Sequence, residues 1–344
     1  MGKGVELRLD TKKLKQNISA LLCACEKQNV QMAGVIKGLN GLPQVADLYV
    51  DAGIGILALS RVEQIAMCRS NGIVCTYMLT RVPSISEAAE VAALCDISLN
   101  SDKQVLAALN QAASHCSKKH SVILMLDMGD CREGVQREED LIELAHYVEN
   151  HLEHLMLVGI GANFSCHRKM LPKSEQLDRV VHHTKQVEQN IGRTLEFISV
   201  GGTSCLPLLY DGTLPPRVNL LRVGEAIHMN HDLKRIFGYR AEQLETDCVH
   251  LTAEIVDLKH KEQCSAHGIK RWKQILVNVG STDFGDAANI QPQDPDLRIV
   301  QVTSDLTAIE VAEEKTLQVG DSVDFNLNYD AVARLTSGRT VQMI

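Results

Sequence analysis

Two textures of hydrophobic patterning divide this chain. From residue 31 to residue 227, short apolar or β-branched runs alternate with longer stretches whose apolar residues recur at helical spacing. The runs are QMAGVIKG (31–38), GILALS (55–60), CTYMLT (75–80), DISLNS (96–101), SVILMLDMG (121–129), LMLVGIGANF (155–164), LEFISVGG (195–202) and NLLRVGEAI (219–227). Between them lie amphipathic segments such as RVEQIAMCRSNG, SISEAAEVAALC, EEDLIELAHYVENHL and SEQLDRVVHHTKQVEQNIG. Such alternation predicts successive βαβ units and a parallel sheet. Eight strand-then-helix repeats point to a closed (β/α)8 TIM barrel rather than an open sheet.

After about residue 236 the helical spacing gives way to TDCVHLTAEIVDLKH, QILVNVGSTDFG, RIVQVTSDLTAIEV and SVDFNLNY. These are strand-like and parted by turns rich in Gly, Asp, Pro and Asn, with Gly320-Asp321 a strong turn signal. The predicted organisation is an N-terminal strand within residues 1–10 that joins the second sheet, a barrel over 11–235, and a C-terminal β-domain over 236–344.

Composition narrows the function classes. A length of 344 residues suits a barrel plus a smaller domain, and 45% hydrophobic with 23% charged residues is an ordinary soluble balance. The net charge of −8 gives no reason to expect nucleic acid as a partner. No stretch approaches the roughly 20 apolar residues that a membrane span needs. MGKGVELRLD lacks the apolar core of a secretory signal, and Glu6 stands where a myristoylation motif wants Ser or Thr. A cytoplasmic location is the expectation. The 11 cysteines are scattered with no CxxC pair, so they read mostly as small buried hydrophobes, with no metal framework.

Barrel enzymes carry their chemistry at the C-terminal ends of the strands. The polar residues that fall there are Lys37, Ser60, Thr80, Ser101, Arg132, Asn163, Ser204 and Arg222. Lys37 closes an apolar strand between Ile36 and Gly38. A lysine desolvated at the mouth has a lowered pKa and a free amine suited to Schiff-base chemistry; a lysine that merely caps the strand is the competing reading. Arg132 follows the fifth strand, where a guanidinium can fork onto a phenolate or carboxylate, or make a structural salt bridge. ISVGGTS (198–204) and LLRVGEAI (220–227) place glycines and hydroxyls after the seventh and eighth strands. That is the usual phosphate position in a barrel, with Ser204 and the N–H groups of Gly224 and Glu225 as donors.

These strings, in this order, resemble the alanine racemase superfamily of fold-type III pyridoxal-phosphate enzymes, and more closely its ornithine (alanine/ornithine) racemase branch. They are GVIKG at Lys37, LDMGDCREG (126–134), GIGANFSC (159–166), SVGGTS (199–204) and LLRVGEAI (220–227), with TAEIVDLK (252–259), TSD (303–305) and FNLNY (325–329) in the second domain. The resemblance implies pyridoxal 5'-phosphate as cofactor and a homodimer in which one subunit's β-domain covers its partner's barrel mouth. Lys37 resembles the Schiff-base lysine and one of two racemising bases. Arg132 resembles the arginine near the phenolic oxygen and the substrate carboxylate. Ser204, with the backbone of Gly224 and Glu225, resembles the phosphate cup, and Thr203 is a further phosphate candidate. Arg222 resembles the arginine facing the pyridine nitrogen. A cation there keeps that nitrogen unprotonated, which favours reprotonation of the α-carbon over elimination or transamination.

The sequence also departs from that pattern. Where alanine racemases carry a tyrosine as the opposite-face base, NVGSTDFG offers Ser281, so Asp283 and Asp305 become the candidates for groups that reach a partner's site. His167, Arg168 and Lys169 replace a glycine pair, and Leu306 stands where the ornithine branch has histidine. The predicted activity is racemisation of a free amino acid, whether ornithine, lysine or alanine-like, by two-base proton transfer. A cofactor carrier with little catalysis is one alternative, though single-domain carriers lack a β-domain. A D-amino-acid aldolase or dehydratase is another, which would need a His and Cys metal pair near the C-terminus. Cys248, His250, Cys264 and His267 do not reproduce that close pairing.

Overall fold

A computed structural model describes residues 4–164, 170–265, 268–338 and 341–344. His167, Arg168, Lys169 and His267 lie outside the described residues. The chain forms two compact units. One comprises Lys15–Lys37 with Gly41–Leu244, and the other Met1–Leu14, Gly38–Asn40 and Glu245–Ile344.

The larger unit is a closed parallel barrel. Counting Val5–Leu9 of the smaller unit as β1, its strands are β2 (Gln31–Val35), β3 (Ile56–Leu59), β4 (Thr76–Leu79), β5 (Ile97–Asn100), β6 (His120–Leu126), β7 (Leu155–Asn163), β8 (Phe197–Gly201) and β9 (Leu220–Val223). β9 pairs back onto β2, with Arg222 opposite Ala33. Alternate side chains fill the interior: Ala33, Val35, Ile56, Ala58, Met78, Ile97, Leu99, Ile123, Met125, Val158, Phe197 and Leu220 form one buried cluster. The alternation then sets what lies above that cluster. Two residues beyond Leu220 and Phe197, the same inward face carries Arg222 and Ser199, so the apolar stack ends in a cation. A register shift in β7 opposite Val122 and Ile123 keeps Gly161 inward, where an added Cβ would lie 3.0 Å from Met125 Sδ. Asn163 follows on that face.

The strand that leads to Lys37 is shorter than its apolar run suggests. β2 ends at Val35, and Lys37–Leu39 forms a 3-10 turn instead of continuing the strand. Ile36 N–H still donates to Ala58 at 3.1 Å, and Gly41 N–H then reaches back to Ile36 at 3.1 Å, which closes the turn.

The barrel unit also extends past residue 236, to Leu244. Helix Asp232–Phe237 belongs to it because Glu225 Oε1 accepts from the N–H groups of His231 (2.7 Å) and Asp232 (2.9 Å). Asn230 Nδ2 donates to the carbonyls of Ala241 and Leu244, which ties down the following loop.

The smaller unit is an eight-stranded, mainly antiparallel sheet. It contains β10 (Val249–Ser265), β11 (Gly268–Val277), β12 (Ile290–Pro292), β13 (Leu297–Val302), β14 (Thr307–Val311), β15 (Ser322–Leu327) and β16 (Val341–Met343). β1 runs antiparallel to β10 in register Val5 to Ala253, which places the N-terminal strand in this sheet. FNLNY is strand only to Leu327. Asn328 Oδ1 accepts from Ala331 N–H at 3.0 Å and starts helix Tyr329–Gly338. Among the described residues, no helix is long and apolar enough to cross a membrane.

The cysteines divide. Cys25, Cys68, Cys95, Cys205 and Cys248 are buried, and burial pushes the Cys25 thiol up to about 12, as suits an inert packing group. Cys23, Cys116 and Cys131 are exposed, so packing does not explain them.

Candidate active site

Within the barrel unit, the C-terminal strand ends bring most of the predicted residues to one mouth. Arg222 is the best fixed. It is only 3% exposed, and its guanidinium donates to Ser199 Oγ, to the Ala162 carbonyl at 2.9 Å and to Asn163 Oδ1 at 2.8 Å. A buried cation is costly unless hydrogen bonds replace its hydration, and β7 and β8 supply those acceptors. Gly201 makes room for it, because a Cβ there would sit 2.6 Å from Arg222 Nη2.

The loops after β8 and β9 lock together beside it. Gly202 has φ +101°, a conformation that glycine adopts without strain, and its N–H donates to the Arg222 carbonyl at 3.0 Å. Ser204 Oγ donates to the Phe164 carbonyl at 3.2 Å. Thr203 Oγ1 accepts from Ala226 N–H at 3.0 Å, so this hydroxyl already links the two loops. Gly224 lies against the strand that leads to Lys37, since a Cβ on it would approach Val35 Cβ to 3.0 Å. The loop of Gly224 and Glu225 therefore adjoins the end of β2, two residues before Lys37.

Two predicted residues sit differently from expectation. Lys37 is exposed, so the desolvation expected for its amine is not supplied by the barrel unit; the turn at Lys37–Leu39 lifts it past the apolar strand. Arg132 lies on an irregular loop after β6, and Glu133 takes its Nε and Nη2 in an ion pair. The structural salt bridge and the ligand-binding arginine are thus both open to this one side chain. Asp283 belongs to the smaller unit, in the short helix Ser281–Phe284. Its Oδ2 accepts from Gly280 N–H at 3.0 Å. Ser281 and Thr282 N–H groups donate to the Thr303 and Ser304 carbonyls, which sets the short helix of Asp283 beside the loop of Asp305.

Sequence reasoning missed Glu133 and Ser199. Glu133 also accepts from Asn163 Nδ2, so it joins Arg132 to Asn163 and hence to Arg222. Its only sequence signal was its place directly after Arg132 in CREG. Ser199 was visible as the one polar residue two positions beyond Phe197 on an otherwise apolar strand.

Glu225 adds an electrostatic feature. It is 8% exposed, and its Oε2 has no hydrogen-bond partner among the described residues. Burial, reinforced by Asp232, pushes its carboxyl up to about 7, against the backbone donors of Asp232 and His231. Between the ordinary carboxylate range and pH 7 the folded chain therefore holds a proton that the unfolded chain has lost. Stability falls as pH rises through that window, and the full cost persists above it. Glu225→Gln keeps the acceptor for His231 and Asp232 without the charge. Urea unfolding should find the variant more stable than wild type at pH 8, by on the order of 2 kcal/mol, with the gap closing by pH 4.5. A gap that does not change with pH would show that this carboxyl is not held near neutrality.

The donor set fits the chemistry of a pyridoxal-phosphate-type ligand: a lysine amine able to condense with an aldehyde, a buried guanidinium, and loops of glycines and hydroxyls able to donate to a phosphate. Among the described residues, no group of three or more His, Cys, Asp or Glu side chains is placed to hold a metal ion.

A closed barrel with these groups at its mouth, paired with an antiparallel sheet unit, has the fold of the alanine racemases. The alanine racemase from D-cycloserine-producing Streptomyces lavendulae superimposes with a TM-score of 0.82 at 17% identity, covering 100% of this chain and 98% of that one. D-threonine aldolase from Filomicrobium marinum shares the fold at a TM-score of 0.76 and 17% identity, over 95% of this chain and 88% of its own. The chain belongs to the family described as alanine racemase, N-terminal domain, which matches residues 9–232. Two curated relatives align over nearly their whole lengths. Ornithine racemase from Acetoanaerobium sticklandii is 29% identical, covering 96% of each chain, and lysine racemase from Thermotoga maritima is 26% identical, covering 98% of this chain and 97% of its own.

Proposed function

We propose that this chain is a pyridoxal-phosphate-dependent racemase of free amino acids, with a basic substrate of the ornithine or lysine type. The observation that carries the reading is the buried Arg222, seated between β7 and β8 beside the Ser204 and Gly224 loops. The two full-length relatives named for ornithine and lysine favour a basic side chain over an alanine-like one.

When bound, the cofactor supplies a conjugated electron-withdrawing system that stabilises negative charge at the substrate α-carbon. The N–H groups of Gly224 and Glu225 would hold its phosphate, joined by Ser204 Oγ once that hydroxyl turns from the Phe164 carbonyl, with Thr203 bracing the two loops. Arg222, fixed by the Ser199, Ala162 and Asn163 acceptors, would face the ring nitrogen and keep it unprotonated, because a second positive charge beside the guanidinium is unfavourable. Arg132 orients the substrate carboxylate. Lys37 Nζ holds or moves the α-proton on one face. Asp283, delivered by the β-domain of a second subunit, is the candidate for the opposite face. In this reading the protein is a cytoplasmic homodimer, and cofactor plus partner provide the cover that Lys37 lacks in the single chain.

Chiral chromatography after incubation with a panel of L-amino acids, with and without added pyridoxal phosphate, tests the reading. D-Ornithine or D-lysine should appear, faster with the cofactor. If no D-enantiomer forms from any member of the panel, the racemase reading fails.

A further inference from the structure

We propose that Glu133 and Asn163 are positioning residues that join Arg132 and Arg222 into one hydrogen-bonded chain across the barrel mouth. Through it, the charge on Glu133 influences Arg222. The proposal rests on the reading above, in which these two arginines serve substrate and cofactor.

Every link in the chain is made. Arg132 donates from Nε and Nη2 to the two oxygens of Glu133. Glu133 Oε1 also accepts from Asn163 Nδ2, and Asn163 Oδ1 accepts from Arg222 Nη2 at 2.8 Å. Arg222 Nη1 ends the chain on Ser199 Oγ. The neighbours fix the orientation of the Asn163 amide. A carboxylate has no proton to give, so the end facing Glu133 must be the NH2; a guanidinium cannot accept, so the end facing Arg222 must be the oxygen. Reversing the amide would set two acceptors together at one end and two donors at the other.

The backbone is shaped to bring these residues together. Gly201 lies beneath the Asn163–Arg222 link, and any side chain there would strike Arg222 Nη2 and, nearer still, Asn163 Oδ1. Gly134, directly after Glu133, has φ +122°, and a Cβ on it would fall 2.5 Å from Asp127 N. The loop thus folds back onto the end of β6, where Asp127 Oδ1 holds the N–H groups of Gly129 (2.9 Å) and Cys131 (3.0 Å). The Glu133 side chain is only 17% exposed, so solvent screens its pairing less than it would a surface pair.

Two consequences follow. With Nε and Nη2 both committed to Glu133, the plane of the Arg132 guanidinium is held in one orientation. Loss of the Glu133 charge then acts in two places: it loosens Arg132, and it removes the acceptor that orients Asn163 toward Arg222. A merely structural ion pair would affect only the first.

The test uses the full-length protein as Glu133→Gln, Glu133→Asp, Asn163→Ala and the double variant Glu133→Gln/Asn163→Ala, each checked for an unchanged fold by circular dichroism. Without added cofactor, the arginine side-chain NMR signals assigned to Arg222 should shift in Glu133→Gln. With pyridoxal phosphate bound, the absorbance maximum of the cofactor and its pH dependence should shift in the same variant. KM should rise about tenfold, with Glu133→Asp recovering part of the loss. The double variant should be no more than about twofold worse than the poorer single variant, because both cut one chain. Additive effects, or Arg222 signals that ignore Glu133→Gln, would overturn the proposal. A wild-type protein that takes up no pyridoxal phosphate would sink the cofactor reading instead, and the cofactor-free signals would still decide the chain.

Discussion

Replacing Lys37 with alanine is expected to cut kcat by at least about three orders of magnitude, because the variant loses the amine proposed to anchor the cofactor and to move a proton. The same change should abolish an absorbance band near the visible edge that borohydride bleaches in the wild type, since only a primary amine condenses with the aldehyde. Lys37→Arg should fail equally, because a guanidinium keeps its charge at working pH and is no nucleophile. Fold should be unaffected. Lys37 lies in a turn closed by backbone bonds between Ile36, Ala58 and Gly41, and its side chain is exposed, so its removal empties no core volume. The diagnostic result is a normal melting curve with a missing band. A Lys37→Ala protein that retains the borohydride-sensitive band would place the covalent site on another lysine and dismantle the assignment.

The exposure of Lys37 also shows where sequence reading stops. The barrel was legible because each strand is a short apolar run and each helix an amphipathic one, and those periods are local. The loops after β8 and β9 stood out because glycines and hydroxyls cluster there, after two successive apolar runs. Nothing local says that β2 stops at Val35. An apolar run through Ile36 reads as strand, whereas in the fold Ile36 N–H makes one last bond to Ala58 and its carbonyl then accepts from Gly41 N–H, which turns the chain there. The chain from Arg132 to Arg222 was hidden for a similar reason. Its links span 30 residues from Glu133 to Asn163 and 59 from Asn163 to Arg222, so no motif spacing encodes them. The helix at Tyr329–Gly338 was a different kind of miss, since Asn328 is a good N-cap residue hidden behind a strand pattern that ends one residue earlier.

Arg222→Met should produce the second large effect, and it should divide into two measurable parts. Methionine roughly fills the space of the arginine stem but leaves Ser199 Oγ, the Ala162 carbonyl and Asn163 Oδ1 without their donor. Each stranded buried group costs about 1–3 kcal/mol, so the cofactor-free protein should lose several kcal/mol of stability by urea unfolding. The second part is chemical. With the cation gone, a proton on the ring nitrogen is no longer opposed, so the bound cofactor should change its absorbance and its pH dependence, and racemisation should fall by about two to three orders of magnitude. Arg222→Lys separates the two. A lysine restores the charge but not the fork that reaches three acceptors, so the spectrum should return toward wild type while stability stays low. If instead Arg222→Met alters stability alone, with spectrum and rate preserved in the folded fraction, Arg222 is a structural cation that ties β9 to β7 and β8, and its place opposite the ring nitrogen must be abandoned.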